Sequence, residues 1–192
     1  LGGRTFTSLS KDDIAKLRAI KGVEKVTPTY LVNAQYVTVE GNDKKYTTDI
    51  QAYDPSVRAD AAAGQLPVLG SQIADNEVIV PEAYVESLGK KPQDMIGKTV
   101  TLHVIKATNP PSDQAIQSAF LSGGTAAVQQ LVASESRDET FHIRAISAKS
   151  STTFSASAAL FLSENTAKRL SDYISEGTDQ YEKYITATIS VS

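Results

Sequence analysis

The sequence predicts an α+β fold, because short capped helices alternate with strands along most of its 192 residues. Predicted helices begin at Ser10, Pro81 and Ser163, and the first two end at Gly22 and Gly89. The stretches between them are rich in β-branched and aromatic residues with alternating polarity, which is typical of strands. Hydrophobic residues make up 41% of the chain, which is enough for a core in one large domain or two small ones.

Composition excludes several classes of function. The net charge is −3 and no basic block occurs, so we expect no nucleic-acid surface. The chain has no cysteine, which excludes disulfides, thiolate zinc sites and cysteine nucleophiles. No apolar run approaches the roughly 20 residues of a membrane span. The chain begins Leu1-Gly2-Gly3 without a signal-peptide pattern, and we therefore expect a piece of a longer protein whose anchor lies elsewhere.

The stretch "LSKDDIAKLRAIKGVEKVTP" at residues 9–28 predicts a short helix followed directly by a strand. Ser10 and Asp13 have the spacing of a capping box, in which each side chain bonds the backbone amide of the other residue. Gly22 is expected to end the helix, since glycine readily takes the left-handed conformation of a helix C-terminus. Val23 and Val26 then begin extended chain.

The rest of the chain reads mostly as strands. Residues 29–40 and 44–53 flank the turn "GND" and predict a hairpin, and "AAAGQLPVLG" reads as a loop. Pro81 stands at the start of a short helix that Gly89 ends, and Gly97 precedes a strand. The later predictions are strands at 139–147, 156–163 and 183–191, with a helix from Ser163 to about Ile174.

Residues 107–138 form a compositional break that predicts an insertion. Pro110-Pro111 begins it, and alanine, serine and glutamine are in excess beyond that point. Apolar residues keep helical spacing on both sides of Gly123-Gly124, so we expect two short helices that protrude from the domain. Their apolar stripe either binds a partner or packs on its own part of the fold.

The sequence contains no nucleotide-binding, metalloprotease or serine-hydrolase motif. His103 and His142 lie in the strands that flank the insertion, where they are either cross-strand neighbours able to bind a metal or part of a solvated sheet face. A site assembled from distant residues, with one of these histidines against a serine such as those in "SAKSSTTFSASA", stays open as a third interpretation. The sequence therefore predicts no catalytic, cofactor-binding or metal-ligating residue.

Two further groups have both a functional and a structural interpretation. Asp12 and Asp13 resemble a carboxylate pair, but adjacent helical residues point in different directions and capping already explains them. Tyrosines in the strands are able to stack on carbohydrate, yet tyrosine is also a favoured strand residue that packs within sheets. These tyrosines are Tyr30, Tyr36, Tyr46 and Tyr53.

The order of several stretches resembles the extracytoplasmic core domain of MacB/FtsX-type ABC transporter permeases. These stretches are "LSKDDIAKLRAIKGVEKVTP", "GQLPV", "NEVIVPEAYVESLG", "IGKTVTL" and "ETFHIRAIS", and the match runs from about Leu9 to Val191. Two departures are visible. Ala145 or Ile146 stands where the family has a glycine, and the long insertion at 107–138 is not a general feature of the family.

The resemblance implies a two-subdomain MacB-like periplasmic core. Residues 1–74 and 153–192 would form a porter-like α/β subdomain, and 75–152 an inserted smaller α/β subdomain. It also implies a non-catalytic domain, without a cofactor, on the extracytoplasmic side of the bacterial cell membrane, excised from a membrane protein.

The implied role is to transmit ATP-driven motion of the membrane spans to something outside, in export or mechanotransmission. The implied partners are a cognate ABC ATPase, a second permease subunit and an extracellular client such as a peptide, an antibiotic, a lipoprotein or a cell-wall enzyme. Two rival classes are a free-standing extracellular binding or adhesion module and a hydrolase, and membrane spans on both sides of this segment in the full gene would decide against both.

Overall fold

A computed structural model describes residues 8–57, 59–149 and 159–191 of the chain. The strands are β1 (Leu9–Ser10), β2 (Val23–Pro28), β3 (Ala34–Val39), β4 (Asn42–Tyr46), β5 (Ile50–Ala52), β6 (Ala61–Gly64), β7 (Glu77–Pro81), β8 (Thr99–Ile105), β9 (Ser136–Ser147), β10 (Leu160–Leu162), β11 (Lys183–Tyr184) and β12 (Ala187–Val191). The helices are α1 (Lys11–Arg18), α2 (Glu82–Ser87), α3 (Asp113–Val132) and α4 (Glu164–Ser175), with a 3₁₀ turn at Pro92–Met95. The predicted α+β class is confirmed.

Eight strands form one mixed sheet in the order β4-β3-β8-β9-β7-β10-β5, and β6 pairs with β9 beside this path. The other four strands form two antiparallel pairs, β1 with β11 and β2 with β12. These two pairs join the beginning of the described chain to its end. The central sheet combines β3, β4 and β5 with strands from the middle of the chain.

The division into 1–74 with 153–192 and an inserted 75–152 therefore stays a prediction. A boundary drawn at those residues passes through the β3–β8 and β7–β10 pairs of the central sheet.

The core lies on the faces of the central sheet. Fully buried side chains come from alternate positions of β8, where Val100, Leu102 and Val104 face inward, as the period of a half-buried strand requires. Helix α4 covers part of this core through Ala167 and Leu170, both completely buried.

Helix starts follow the predictions closely. The Ser10 hydroxyl accepts from the Asp13 amide at 3.1 Å and the Asp13 carboxylate accepts from the Ser10 amide at 3.0 Å, which confirms the capping box. These bonds lower the pKa of Asp13. Ser163 caps α4 by accepting from the Thr166 amide at 3.1 Å, and α2 follows Pro81 as predicted.

Several strand boundaries differ from the predictions. The hairpin is formed by β3 and β4, and β5 leaves it to pair in parallel with β10. The stretch that reads as a loop contains β6, and α1 ends at Arg18, before Gly22. The predicted final strand is two short strands, β11 and β12, that pair with different partners. Pairing depends on distant residues, which a local pattern does not contain.

Gly64 begins the "GQLPV" stretch, and the backbone at this position requires a glycine. Its φ is +71°, and a Cβ atom there would lie 2.9 Å from Ala145 Cα and closer still to the Arg144 carbonyl oxygen. The edge of β6 approaches β9 at this point, and only glycine permits both the conformation and the approach.

Candidate functional site

Helix α3 projects as a kinked pair of helical arms, as the sequence predicts. The Ser112 hydroxyl caps the first arm by accepting from the Ala115 amide at 3.2 Å. Gly123 (φ −152°) and Gly124 (φ +61°, ψ −151°) leave the helical conformation and separate the arms. Because Gly124 has a positive φ, glycine suits this break better than a residue with a side chain.

None of the residues of α3 is buried. Phe120 is 56% exposed and Leu121 is 87% exposed, and a groove of 640 Å³ runs between the two arms. Asp113 is the one charged residue of this helix. The apolar stripe therefore does not pack into the core formed by the described residues, and Phe120 and Leu121 stay exposed.

The base of the insertion is bonded to the end of α4. The Lys106 amide donates to the Glu135 carbonyl at 2.8 Å and closes the two chain segments beneath α3. The Ala107 amide donates to the Ile174 carbonyl at 2.6 Å, and Lys106 Nζ lies 3.0 Å from a Glu176 carboxylate oxygen. The position of α3 is thus coupled to that of α4.

A second set of contacts fixes α4 against β9. Arg169 donates two hydrogen bonds, at 2.9 and 3.0 Å, to the two carboxylate oxygens of Glu139. The Arg137 guanidinium lies 3.7 Å from the centre of the Tyr173 ring, a cation–π geometry. The bond from Arg169 lowers the pKa of Glu139, although burial of this carboxyl opposes the shift.

We call these contacts the α4 clamp: Lys106, Arg137 and Glu139 on the β8–β9 side, with Arg169, Tyr173 and Glu176 on α4. Beyond α4 the chain continues into β11 and β12, which pair with β1 and β2. The clamp therefore connects the terminal strands to the base of the projecting helices through α4, whose inner face is buried. Packed elements of this kind transmit displacement with little loss.

Of the two interpretations of the histidines, the cross-strand pair is not formed. The register of β8 and β9 places His103 opposite Asp138 and His142 opposite Thr99, so the two histidines are not cross-strand neighbours and that hypothesis is wrong. His103 Nδ1 lies 2.6 Å from Asp138 Oδ1, and its ring stacks on Tyr36 at 4.6 Å. Within the residues that the structure describes, no group of three potential metal ligands occurs.

Asp13 and most of the candidate tyrosines make contacts that stabilise the fold. Asp13 serves the helix cap, and three of the four tyrosines make edge-to-face contacts with Tyr184, Tyr84 and Phe161. Most of the serine-rich stretch, residues 150–158, lies outside the described residues. The α4 clamp itself was missed by sequence reasoning, because Arg169 and Glu139 are 30 residues apart and only the fold brings them together.

Comparison with solved structures identifies the architecture. The periplasmic region of MacB from Actinobacillus actinomycetemcomitans aligns with a TM-score of 0.51 at 13% identity, over 96% of this chain and 65% of that one. The chain has the MacB periplasmic fold. The resemblance predicted from the sequence is thereby confirmed at the level of fold.

Two further structures are similar to this MacB-like chain. The extracellular domain of the ABC-type transporter YknZ from Gram-positive bacteria gives a TM-score of 0.49 at 14% identity, over 96% of this chain and 74% of that one. A domain of a protein described as a permease, from Porphyromonas gingivalis, gives 0.49 at 16% identity, over 93% and 65%. All three neighbours are extracytoplasmic or permease domains.

No protein-family model matches the MacB-like chain, and no curated protein sequence is significantly similar to it. In the described part of the chain, no helix is long and apolar enough to cross a membrane.

Proposed function

We propose that this chain is the extracytoplasmic domain of an ABC transporter permease and that it transmits ATP-driven motion of membrane spans to a client outside the membrane. The observation that carries the proposal is the MacB periplasmic fold. A fold alone does not determine a function, so the step from fold to role is an analogy. The exposed α3 helices and the α4 clamp support the analogy, because they supply a contact surface and a connection to it.

In this proposal the partners are a cognate ABC ATPase and a second permease subunit, both reached through the membrane part of the full-length protein. The domain itself does no chemistry. The client contacts the exposed apolar surface of α3 around Phe120 and Leu121. Motion enters through the terminal strand pairs and reaches α3 through α4.

The proposal is tested by photo-crosslinking in the full-length protein, in membranes that contain its ATPase. A photoreactive residue replaces Leu121, and a matched control variant carries it at Lys44, which is also exposed but lies in the β3–β4 hairpin. We expect a discrete adduct from Leu121, with a yield that differs between the ATP-bound and nucleotide-free states, and no such adduct from Lys44. Equal labelling from both positions in both states would contradict the proposal.

The alternative function is a free-standing extracellular binding or adhesion module. The same exposed apolar surface on α3 favours it, since a binding module also needs such a surface. It predicts that the full-length protein neither fractionates with an ATPase nor shows any nucleotide dependence in the crosslinking experiment.

A further inference from the structure

A groove lies away from α3, between the end of the central sheet and the β2–β12 pair. Its volume is 720 Å³. One wall is the chain from Thr48 to Ser56, which contains β5, and the other is formed by residues 27–34 together with Thr188 and Ser190 of β12. The groove is therefore bordered by strand backbone on one side and by side chains of a separate strand pair on the other.

Strand β5 ends the central sheet, and among the described strands only β10 pairs with it. The Leu160 amide donates to the Asp49 carbonyl at 2.8 Å, and the Tyr53 amide donates to the Leu162 carbonyl at 2.7 Å. Backbone groups of successive strand residues point to opposite sides. The Asp49 carbonyl and the Tyr53 amide face β10. By this alternation, the amides and carbonyls of Ile50 and Ala52 face the opposite side, toward the groove.

The groove offers the hydrogen-bonding groups that an added strand needs. Ile50 and Ala52 together present two amides and two carbonyls at strand spacing. An extended peptide that binds a sheet edge is held by such main-chain bonds, and neighbouring pockets select its side chains. The volume between the walls provides room for a single extended segment.

Charge indicates which segment fits. Lys25 Nζ lies 3.1 Å from a Glu164 carboxylate oxygen, so the one cation of the lining is paired. Asp49 and Asp54 add two carboxylates to the lining without a described ion pair. Asp54 accepts hydrogen bonds from the Ser56 amide at 2.9 Å and from the Ser56 hydroxyl at 2.6 Å. The lining is thus acidic and suits a basic side chain.

Apolar surface completes the site. Leu31 is 49% exposed on the wall opposite β5, close in sequence to the buried Tyr30 and Val32. A strand that pairs with β5 would direct alternate side chains toward this wall. The preferred occupant therefore combines β-branched residues with a lysine or an arginine.

We propose that this groove binds an extended basic polypeptide segment, which adds as a further strand to the edge of β5 that no described strand occupies. The inference does not rest on the proposed role in transport, because it concerns the edge of β5 and makes no use of α3 or the α4 clamp. A peptide-binding groove would serve a free-standing module equally well.

The test uses the purified chain and a pool of fluorescent, end-blocked peptides of about eight residues, the length of an ordinary strand. The pool has a lysine fixed near the centre and threonine, valine or isoleucine elsewhere. A matched pool carries glutamate in place of the lysine. We expect fluorescence anisotropy to show micromolar binding of the lysine pool and binding about tenfold weaker for the glutamate pool.

Two variants locate the binding. Ala52→Pro removes an amide that faces the groove, and it leaves the amides that face β10 in place, as proline at an edge strand permits. We expect it to weaken binding of the lysine pool about tenfold while thermal unfolding changes little. Asp49→Lys keeps the backbone intact and reverses one charge of the lining. It should therefore reduce the preference for the lysine pool over the glutamate pool. This variant gives a test even if Ala52→Pro does not fold.

Three outcomes would overturn the proposal. One is the absence of binding by the lysine pool at millimolar concentration. Another is binding that neither variant changes. The third is concentration-dependent dimerisation that Ala52→Pro abolishes, since it would assign the edge of β5 to a second copy of the chain.

Discussion

At the residue scale, the Arg169–Glu139 pair is the most specific interaction of the α4 clamp. It is bidentate, and the side chain of Glu139 is only 18% exposed. Arg169 is half exposed, so solvent screening limits the contribution of the pair to stability. The two hydrogen bonds of the pair fix the orientation of α4 against β9.

The pair predicts a pH dependence of stability. The folded-state pKa of Glu139 lies below its ordinary value of 4.5, chiefly because Arg169 donates to it. The contribution of the pair is therefore fully present above pH 4.5 and is lost as the pH falls through the lower folded-state pKa. We expect Glu139→Gln to lower the free energy of unfolding by about 0.5–1 kcal/mol at neutral pH, and by less at acid pH, in urea titrations.

The matched control is Glu24→Gln, because Glu24 is exposed and has no ion pair in the described structure. It should change stability by less than about 0.5 kcal/mol at any pH. A loss at Glu139 that does not diminish toward acid pH would show that the contribution of this residue is not electrostatic.

Ser10 and His103 show which contacts of single residues can be predicted from the sequence. Ser10 and Asp13 were assigned correctly because a capping box depends on residues three positions apart. For His103 and His142 the sequence left cross-strand pairing and a solvated sheet face as alternatives, because the register of β8 and β9 depends on where each strand begins to pair. No local pattern indicates that register.

At the element scale, α3 and α4 differ in how much of the fold depends on them. Helix α4 buries Leu170 completely, whereas Leu121 in α3 is almost fully exposed. This contrast follows from the position of α3 beyond the edge of the core. It also explains why the helical spacing of α3 predicted its arms correctly but did not distinguish a partner-binding surface from a packed one.

Substitutions in the two helices should therefore have opposite consequences. Leu121→Ser is expected to change the free energy of unfolding by less than about 0.5 kcal/mol, because it removes no buried contact. Leu170→Ala, the matched control, is expected to cost about 2–5 kcal/mol, because it leaves a cavity in the core. Denaturant titration of both variants measures these values.

A loss of more than about 2 kcal/mol for Leu121→Ser would make α3 part of the core and would contradict its assignment as a contact surface. In the full-length protein, the same substitution should reduce contact with the client while stability is unaffected.

Element types were easier to predict than element pairing. The helix starts at Ser10, Pro81 and Ser163 follow local capping chemistry, and the structure reproduces them. The partner of β5 is β10, more than a hundred residues later in the chain, and only the packing of the whole sheet decides that pairing. The groove beside β5 was unpredictable for the same reason.

At the scale of the whole molecule, the order of short sequence stretches was more informative than any one of them. Helix, loop, strand and turn signals are each common, yet their succession predicted the fold that the comparison with MacB confirms. At 13% identity few side chains are shared, so the common feature is the backbone architecture. The residues of the α4 clamp belong to this chain and have to be tested in it.

The central claim is that motion of the membrane spans reaches α3 through the terminal strands and α4. It is tested most directly by resonance energy transfer from a donor on Leu121 to acceptors on lipid headgroups of the outer leaflet. The full-length protein is reconstituted with a hydrolysis-deficient ATPase, and the measurement is repeated with Arg169→Glu, which removes the Arg169–Glu139 pair of the clamp. We predict that ATP binding changes the transfer efficiency and that Arg169→Glu diminishes the change, whereas an efficiency that ATP leaves unaltered would contradict the account.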